Sequence, residues 1–485
     1  MTFTRRWLLG ALLAGVATPA LAEAPTRSPR PLRRGGAAAP PDASDLVARA
    51  ALGGAVAYVA VDAATGEVIE ASNAALRLPP ASTAKAITAL YALDRLGPDF
   101  RFTTRLLATG PIENGIIQGD LVLAGSGDPT LSTDALGDMA AKLKAAGVRG
   151  VTGRYVAEAG ALPAISAIDP EQPAHVGYNP ALSGLNLNFN RVHFEWKRAP
   201  KGYAVTMDAR AERFVPPVAM ARMEVVTRDL PVYTYMGGQG SDSWTVASSA
   251  LGKAGSRWLP VRHPETYTAE VFQTLARAQG IDLPAAQVVR VRPEGRTLVE
   301  WQSEPLREIL RDMLKYSTNI TAEAVGLAAS GEASLAQSAR AMSLWANGSF
   351  GISAEFRDHS GLGGRSRVSA ADMASALAQA ERRGLGLRPI LKTLEIGGAK
   401  GRRKPGQPVT VAAKTGTLNF VSGLVGIASP SGGRDLVFAI YCADRTRRDA
   451  LTTDDRERPQ GMPEWTARAR GLQRSLIERW AALPA

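Results

Sequence analysis

Cysteine occurs once, at Cys442, in a chain of 485 residues. That excludes an internal disulfide framework and any cysteine-clustered zinc or iron–sulfur site. Histidine is nearly as scarce: His175, His193, His263 and His359 include no His-Glu-x-x-His run and leave little material for a histidine metal site. No Gly-x-Ser-x-Gly elbow occurs, which disfavours a hydrolase of the usual Ser-His-Asp type. Beyond the first residues no stretch approaches the roughly 18 apolar residues of a spanning helix. No repeat of 20 to 50 residues is evident, which argues against a solenoid or propeller. With 45% hydrophobic and 21% charged residues the chain is too apolar to be largely disordered and long enough for two or three packed units. Its net charge of +12 bears on anionic surroundings and not on fold.

Arg5 and Arg6 precede 11 apolar residues, Trp7 to Ala17, and Ala20-Leu21-Ala22 supplies a small-x-small cleavage site. Residues 1–22 are therefore predicted to be an export signal, of the twin-arginine or the general secretory kind. Residues 23–43 are rich in Pro, Gly, Ala and Arg with hardly any large apolar side chain, and read as a disordered basic tether. Its arginines Arg27, Arg30, Arg33 and Arg34 favour at most a peripheral contact with an anionic surface.

A helix is expected from Ser44 to Leu52, followed by two β-rich runs around a turn at Ala63 to Gly66 that form a hairpin at a sheet edge. Pro79-Pro80-Ala81 resists helix, and Ser82 then opens a helical stretch that stops at Gly97-Pro98. From Phe100 to Pro284 the chain turns to short β-like runs punctuated by Gly and Pro, closing with a helix over 264–281. Helical periodicity returns over 305–330, where Leu306, Ile309, Leu310, Met313 and Leu314 form a core stripe. A capping-box-like start at Ser369 to Asp372 predicts a helix running to the arginine pair before Gly384. Two β-runs around Pro430 to Gly433 and an amphipathic helix through Leu472, Leu476 and Trp480 complete the chain. The expected fold is α/β, an antiparallel sheet flanked by helices, built from residues 44–99 and 285–485. A β-rich region, 100–284, is inserted into it.

Three short strings carry chemistry: Ser82-Thr83-Ala84-Lys85, Ser317-Thr318-Asn319 and Lys414-Thr415-Gly416-Thr417. Positions i and i+3 share a helix face, so Lys85 should stand beside Ser82 among Ala86, Ile87, Ala89 and Leu90. A serine hydroxyl is a poor nucleophile until a neighbouring base takes its proton. A lysine serves as that base only when desolvation or a second cation lowers its pKa; the apolar helix offers the first and Lys414 the second. Each string alone is weak, but together they fall on a helix start, a helix connection and a strand before a hairpin, where the chemistry requires them.

In these strings the sequence resembles the penicillin-recognising serine enzymes, specifically the D-alanyl-D-alanine carboxypeptidase/endopeptidase family of low-molecular-mass penicillin-binding proteins with a large insert. The 235 residues from Ser82 to Ser317, against 97 from Ser317 to Lys414, match that subfamily. Gly119 to Leu131, Asn179 to Val192 and Gly423 to Ile440 look similar to it as well. The resemblance implies a β-lactamase/transpeptidase-like fold, no cofactor or metal, peptidoglycan stem peptides as substrate, β-lactams as inhibitors, no nucleic acid and a periplasmic location. It further implies that Ser82 attacks the penultimate D-Ala carbonyl with Lys85 as general base. Ser317 would relay a proton to the leaving amine, Asn319 would hold Lys85 and contact peptide, and Lys414 would set the electrostatics. Thr415, Gly416 and Thr417 would bind the terminal carboxylate, with the N–H groups of Ser82 and Thr417 as oxyanion hole.

Two rivals stand beside this reading. A class A β-lactamase needs a Glu-x-x-Leu-Asn string, absent between Asn319 and Lys414, and a class C enzyme needs Tyr-x-Asn, whereas Tyr316 is followed two positions on by Thr318. A non-catalytic peptidoglycan-binding scaffold is opposed by the intact serine and both lysines. One departure from the family concerns Asp358-His359-Ser360-Gly361-Leu362, where His359 replaces a usual glycine and predicts backbone strain at a positive φ. A loop-packing role is expected for His359, and burial as a small apolar residue for Cys442.

Overall fold

The computed structural model describes residues 41–238, 240–396, 409–431, 433–452, 454–457 and 459–483. The predicted export signal and all but the last residues of the predicted tether lie outside the described residues. The first helix, Ala43–Ala50, starts where the Asp42 side chain accepts from Ser44 N at 2.7 Å.

Runs rich in β-branched, small and aromatic residues, most of them buried on both faces, build a six-stranded antiparallel sheet. Its order is Lys392–Glu395, Val409–Leu418, Val421–Pro430, Leu436–Ala443, Ala55–Asp62 and Val68–Ser72. In the Ala55–Asp62 strand, Ala57, Val59 and Val61 pack into one core with helices Ala84–Leu96, Leu306–Tyr316, Asn319–Ser330, Leu335–Phe350 and Ala370–Arg382. Val56, Tyr58 and Ala60 point the other way, against Trp465, Leu476 and Trp480 of the C-terminal helix Met462–Ala481. The expected hairpin is present: Asp62 Oδ1 accepts from Ala64 N and Thr65 N, Gly66 takes φ +80°, and Val68–Ser72 is a sheet edge. The antiparallel sheet with helices on both faces matches the sequence expectation. Cys442 is fully buried, as expected, and burial pushes its thiol up to about 12.

The region after Phe100 builds its own core. Its five-stranded sheet runs Ala286–Val289, Tyr155–Glu158, Leu121–Ala124, Thr103–Ala108, Arg296–Gln302, the first three mutually parallel. The sheet thus takes in chain to Gln302, past the expected boundary at 284. Three three-stranded sheets, centred on Arg191–Arg198, Ser241–Ala247 and Ile116–Ile117, complete the β-rich part among the described residues. Beside the anticipated helix Pro264–Ala278 stands one not foreseen, Thr133–Ala145, where Ser132 caps Ala135 N at 3.2 Å.

Among the expected short β-like runs, the one from Asn186 to Trp196 forms strand only from Arg191. Asn188, Phe189 and Asn190 take left-handed φ of 50°, 58° and 50°. There the side-chain amides replace the ladder: Asn190 Oδ1 accepts from Leu187 N at 2.9 Å, and its Nδ2 donates to Ala181 O at 2.8 Å.

Candidate active site

Pro79 and Pro80 lead into a 3₁₀ turn, Ala81–Thr83, that passes directly into the helix Ala84–Leu96. Ser82 therefore sits one turn ahead of the α-helix proper. Thr83 braces the turn, its Oγ1 donating to Pro80 O at 2.7 Å and meeting the Tyr441 hydroxyl at 3.1 Å. Ala81 holds a left-handed φ of +49°, a conformation that costs a non-glycine residue about 1–2 kcal/mol. Gly361 (φ +73°) packs so close that a Cβ there would stand 1.8 Å from Ala81 O. Gly416 does the same from the sheet: its Cβ would fall 3.0 Å from Ser82 N and 2.8 Å from Pro80 O. Only a glycine lets the Lys414 strand approach the serine turn this closely.

The three strings meet. Lys85 is fully buried, and its Nζ reaches Ser82 Oγ at 3.1 Å, Asn319 Oδ1 at 2.7 Å and Ser360 O at 2.8 Å. Asn319 is oriented by its other end, where Nδ2 donates to Tyr178 O at 2.9 Å. Ser317 ends the helix Leu306–Tyr316 with left-handed φ and ψ of 59° and 39°, and this break separates it from the helix Asn319–Ser330. Ser317 Oγ accepts from Lys414 Nζ at 2.9 Å, and Lys414 also donates to Thr415 O at 2.7 Å. Burial pushes Lys85 down to about 7 against the opposing pull of Glu323 and Asp358. Burial, then the charge of Lys85, brings Lys414 to about 6.

A cleft of about 550 Å³ opens above these groups, lined by Ser82, Ser317, Asn319 and Thr417 together with Tyr178 and Arg365. Thr415 is exposed and is not among the lining residues; Gly416 is buried beneath the serine turn. Thr417 Oγ1 is reached by Arg470 at 3.4 Å.

The inserted region is part of the cleft. Besides Tyr178, its Glu171 lines the space, pairs with Arg365 and accepts from Arg456 at 3.3 Å. Leu162 and Leu182 pack on Ile320, Ala324 and Leu327 of the Asn319 helix. The motif spacing carried no hint of this contact.

Three groups around Lys85 were also missed. Ser360 supplies a carbonyl, and Glu323 and Asp358 are fully buried carboxyls raised by that burial, to about 8 and about 6 respectively. They lie in strings that the family resemblance covers, but nothing in periodicity assigns them. The expected strain at His359 is absent, because His359 is not among the residues with positive φ. Its ring packs in the core, Nε2 meeting Ser338 Oγ at 2.7 Å, in room made by Gly326, whose Cβ would lie 2.2 Å from the ring. Burial holds this imidazole down to about 3, so it is neutral and packs the loop as expected. Among the described residues no group of three His, Cys, Asp or Glu is placed to hold a metal ion.

The chain matches the D-Ala-D-Ala carboxypeptidase 3 (S13) family across residues 42–469. It belongs to that family. As a member it is a D-Ala-D-Ala carboxypeptidase, a peptidase of the penicillin-recognising serine-enzyme fold, and the β-lactamase and scaffold alternatives give way. It is 29% identical over 475 residues to the D-alanyl-D-alanine carboxypeptidase of Actinomadura sp. (strain R39), spanning 87% of this chain and 83% of that one. To the carboxypeptidase DacB of Mycolicibacterium smegmatis it is 27% identical over 479 residues, spanning 90% and 86%. The crystal structure of penicillin binding protein 4 from Haemophilus influenzae superposes with a TM-score of 0.72 at 22% identity, over 90% of this S13 chain and 99% of that one. Another crystal structure of that protein holds a β-lactam.

Proposed function

We propose that this S13 peptidase releases D-Ala from peptidoglycan stem peptides, and opens D-Ala cross-links of the same chemistry, through an acyl-enzyme on Ser82. The observation that carries the reading is the setting of Lys85. A neutral amine has two N–H donors and one lone pair. Asn319 Oδ1 and the Ser360 carbonyl can only accept, so they take the two N–H groups and leave the lone pair directed at Ser82 Oγ. Burial supplies the neutral amine near pH 7.

Ser82 Oγ then attacks the penultimate D-Ala carbonyl as its proton passes to Lys85 Nζ. The oxyanion forms against the N–H groups of Ser82 and Thr417. Ser317, held by Lys414, relays the proton that Lys85 has accepted to the departing D-Ala amine, which returns Lys85 to the neutral amine, and water hydrolyses the ester to free Ser82. Thr417, at the cleft wall, is the preferred ligand of the terminal carboxylate; the exposed Thr415 is the weaker of the two candidates. β-Lactams acylate the same oxygen and leave slowly, for want of a glutamate placed to activate water as in class A β-lactamases.

A peptidoglycan substrate and the predicted export signal both support a location outside the cytoplasmic membrane; the described residues include no helix long and apolar enough to cross a membrane. Residues 100–302, the expected 100–284 with the two strands that continue to Gln302, are read as the accessory region of a catalytic domain formed by 44–99 and 303–485. Labelling with a fluorescent penicillin tests the assignment: natural protein labels and Ser82→Ala does not. Equal labelling of both, or of neither, overturns it. Release of D-Ala from a pentapeptide and cleavage of a cross-linked muropeptide then measure the two activities separately.

A further inference from the structure

Glu323 lies on the Asn319–Ser330 helix and is fully buried. Among the described residues it forms no ion pair within 4.0 Å. Its Oε2 accepts from His359 N at 2.9 Å and its Oε1 from Ser360 N at 2.9 Å. The next N–H groups of the same loop are gathered by a second buried carboxyl: Asp358 Oδ1 accepts from Gly361 N at 2.5 Å and Oδ2 from Gly363 N at 2.7 Å. Leu362 N donates to Ser360 Oγ at 3.2 Å. Every amide from 359 to 363 therefore ends on a side-chain oxygen, in a segment with no strand or helix of its own.

What this loop holds in place is chemical. Its Ser360 carbonyl accepts from Lys85 Nζ, and its Gly361 sits against Ala81 O, next to Ser82. The 359–360 amides that Glu323 grips immediately precede that carbonyl and that glycine. The choice of residue type follows from valence. Two converging N–H groups need two acceptor oxygens on one side chain, which a carboxyl group has and an amide lacks. Leaving them unpaired in the core would cost each its desolvation, while burying a carboxyl is itself costly. A leucine would fill the volume without that cost, so packing alone gives no reason for a glutamate at this position.

We propose that Glu323 is a positioning residue for acylation: it fixes the 359–360 peptide so that the Ser360 carbonyl holds the Lys85 amine against Ser82. Glu323 touches no substrate-lining surface, and it acts only through Ser360 and Lys85. This rests on the reading of Ser82 as the nucleophile. The loss expected from displacing the amine is that of a misplaced catalytic group, roughly 10- to 100-fold.

The test is the kinetics of acylation by a fluorescent penicillin, separating the first-order acylation constant k2 from the pre-acylation dissociation constant. Glu323→Gln keeps size and burial but turns an N–H₂ toward one of the two amides. Expected is a 10- to 100-fold fall in k2, an unchanged dissociation constant within about twofold, and full labelling at long times. Trp244→Ala, in the core of the inserted region, is the control for general destabilisation, and its k2 stays within about twofold of the natural protein. A Glu323→Gln protein with natural k2, one whose dissociation constant rises as far as k2 falls, or a Trp244→Ala protein with the same loss of k2 would overturn the proposal. Should Glu323→Gln not fold, Glu323→Asp, which keeps the carboxyl but falls short of both amides, is read by the same criteria. Failure of the natural protein to label at all would instead refute the Ser82 reading.

Discussion

The two halves of this peptidase bury polar groups in different ways. In the inserted region three buried acids are met by partners at close range, Asp208 by Arg210 at 2.7 Å, Glu158 by Arg292 at 3.0 Å and Asp242 by the Tyr235 hydroxyl at 2.8 Å, while Asp128 is held only by Thr130 and its own turn. Its buried amides, Asn179, Asn186 and Asn190, bond to backbone and shape loops. Around Ser82 the pattern inverts. Lys85, Lys414, Glu323 and Asp358 are all buried, and none forms an ion pair within 4.0 Å among the described residues. Their partners are hydroxyls, amides and carbonyls. Unpaired buried charge is costly and shifts pKa values. A fold keeps it where a neutral amine or a fixed carbonyl is needed for chemistry.

The contrast breaks hardest at Lys85. Replacing it by Met removes the base and keeps the length, so acylation by fluorescent penicillin should fall by about 10²- to 10⁴-fold. Thermal unfolding should stay level or rise, since an apolar isostere relieves a buried amine of its desolvation. Unchanged labelling would move the base elsewhere; a large drop in stability would make Lys85 structural. The converse experiment lies in the insert. Trp244 is 1% exposed in the core of that region. Trp244→Ala should cost about 3–5 kcal/mol in denaturant unfolding, with acylation of the folded protein changed by less than about twofold. Parallel losses of both would show that the two regions are not energetically separable.

A smaller effect tests how the catalytic side accommodates an unusual residue. A Cβ at Gly326 would overlap the His359 ring at 2.2 Å. Gly326→Ala should therefore destabilise by about 1–3 kcal/mol, and adding His359→Gly should restore part of the loss. Additive losses in the double variant, measured as a thermodynamic cycle, would show that the two residues do not share that space.

Much of this was readable from sequence because it is local. The i, i+3 pairing of Ser82 and Lys85, the alternation of Ala55–Asp62 and the capping start at Ser369 each follow from a short string. The convergence of Ser317 and Lys414 came through the family resemblance. The parts that were not readable depend on long-range partners. Nothing near His359 announces that Gly326, 33 positions earlier in the chain, leaves room for its ring. Glu323 reads as one more residue of a helix until the 359–360 amides are seen to converge on it. Asn188 to Asn190 looks like strand until side-chain amides take the places of ladder bonds. The helix Thr133–Ala145 was passed over inside a region judged by its Gly and Pro content, although Ser132 followed by a regular apolar spacing marked its start.

The two lysines of the site share one cause of their basicity loss. Both are pushed down by burial, Lys85 to about 7 and Lys414 to about 6. If neutral Lys85 is the base, acylation rises with pH through about 7 and falls about tenfold for each unit below it. Lys414 gives up its proton first, so where Lys85 titrates it is already mostly neutral. Lys414→Met should therefore leave the acid limb of the pH–rate profile in place, whatever it does to the maximal rate. A limb carried to higher pH would mean that Lys414 keeps its ammonium through that range and repels the Lys85 proton.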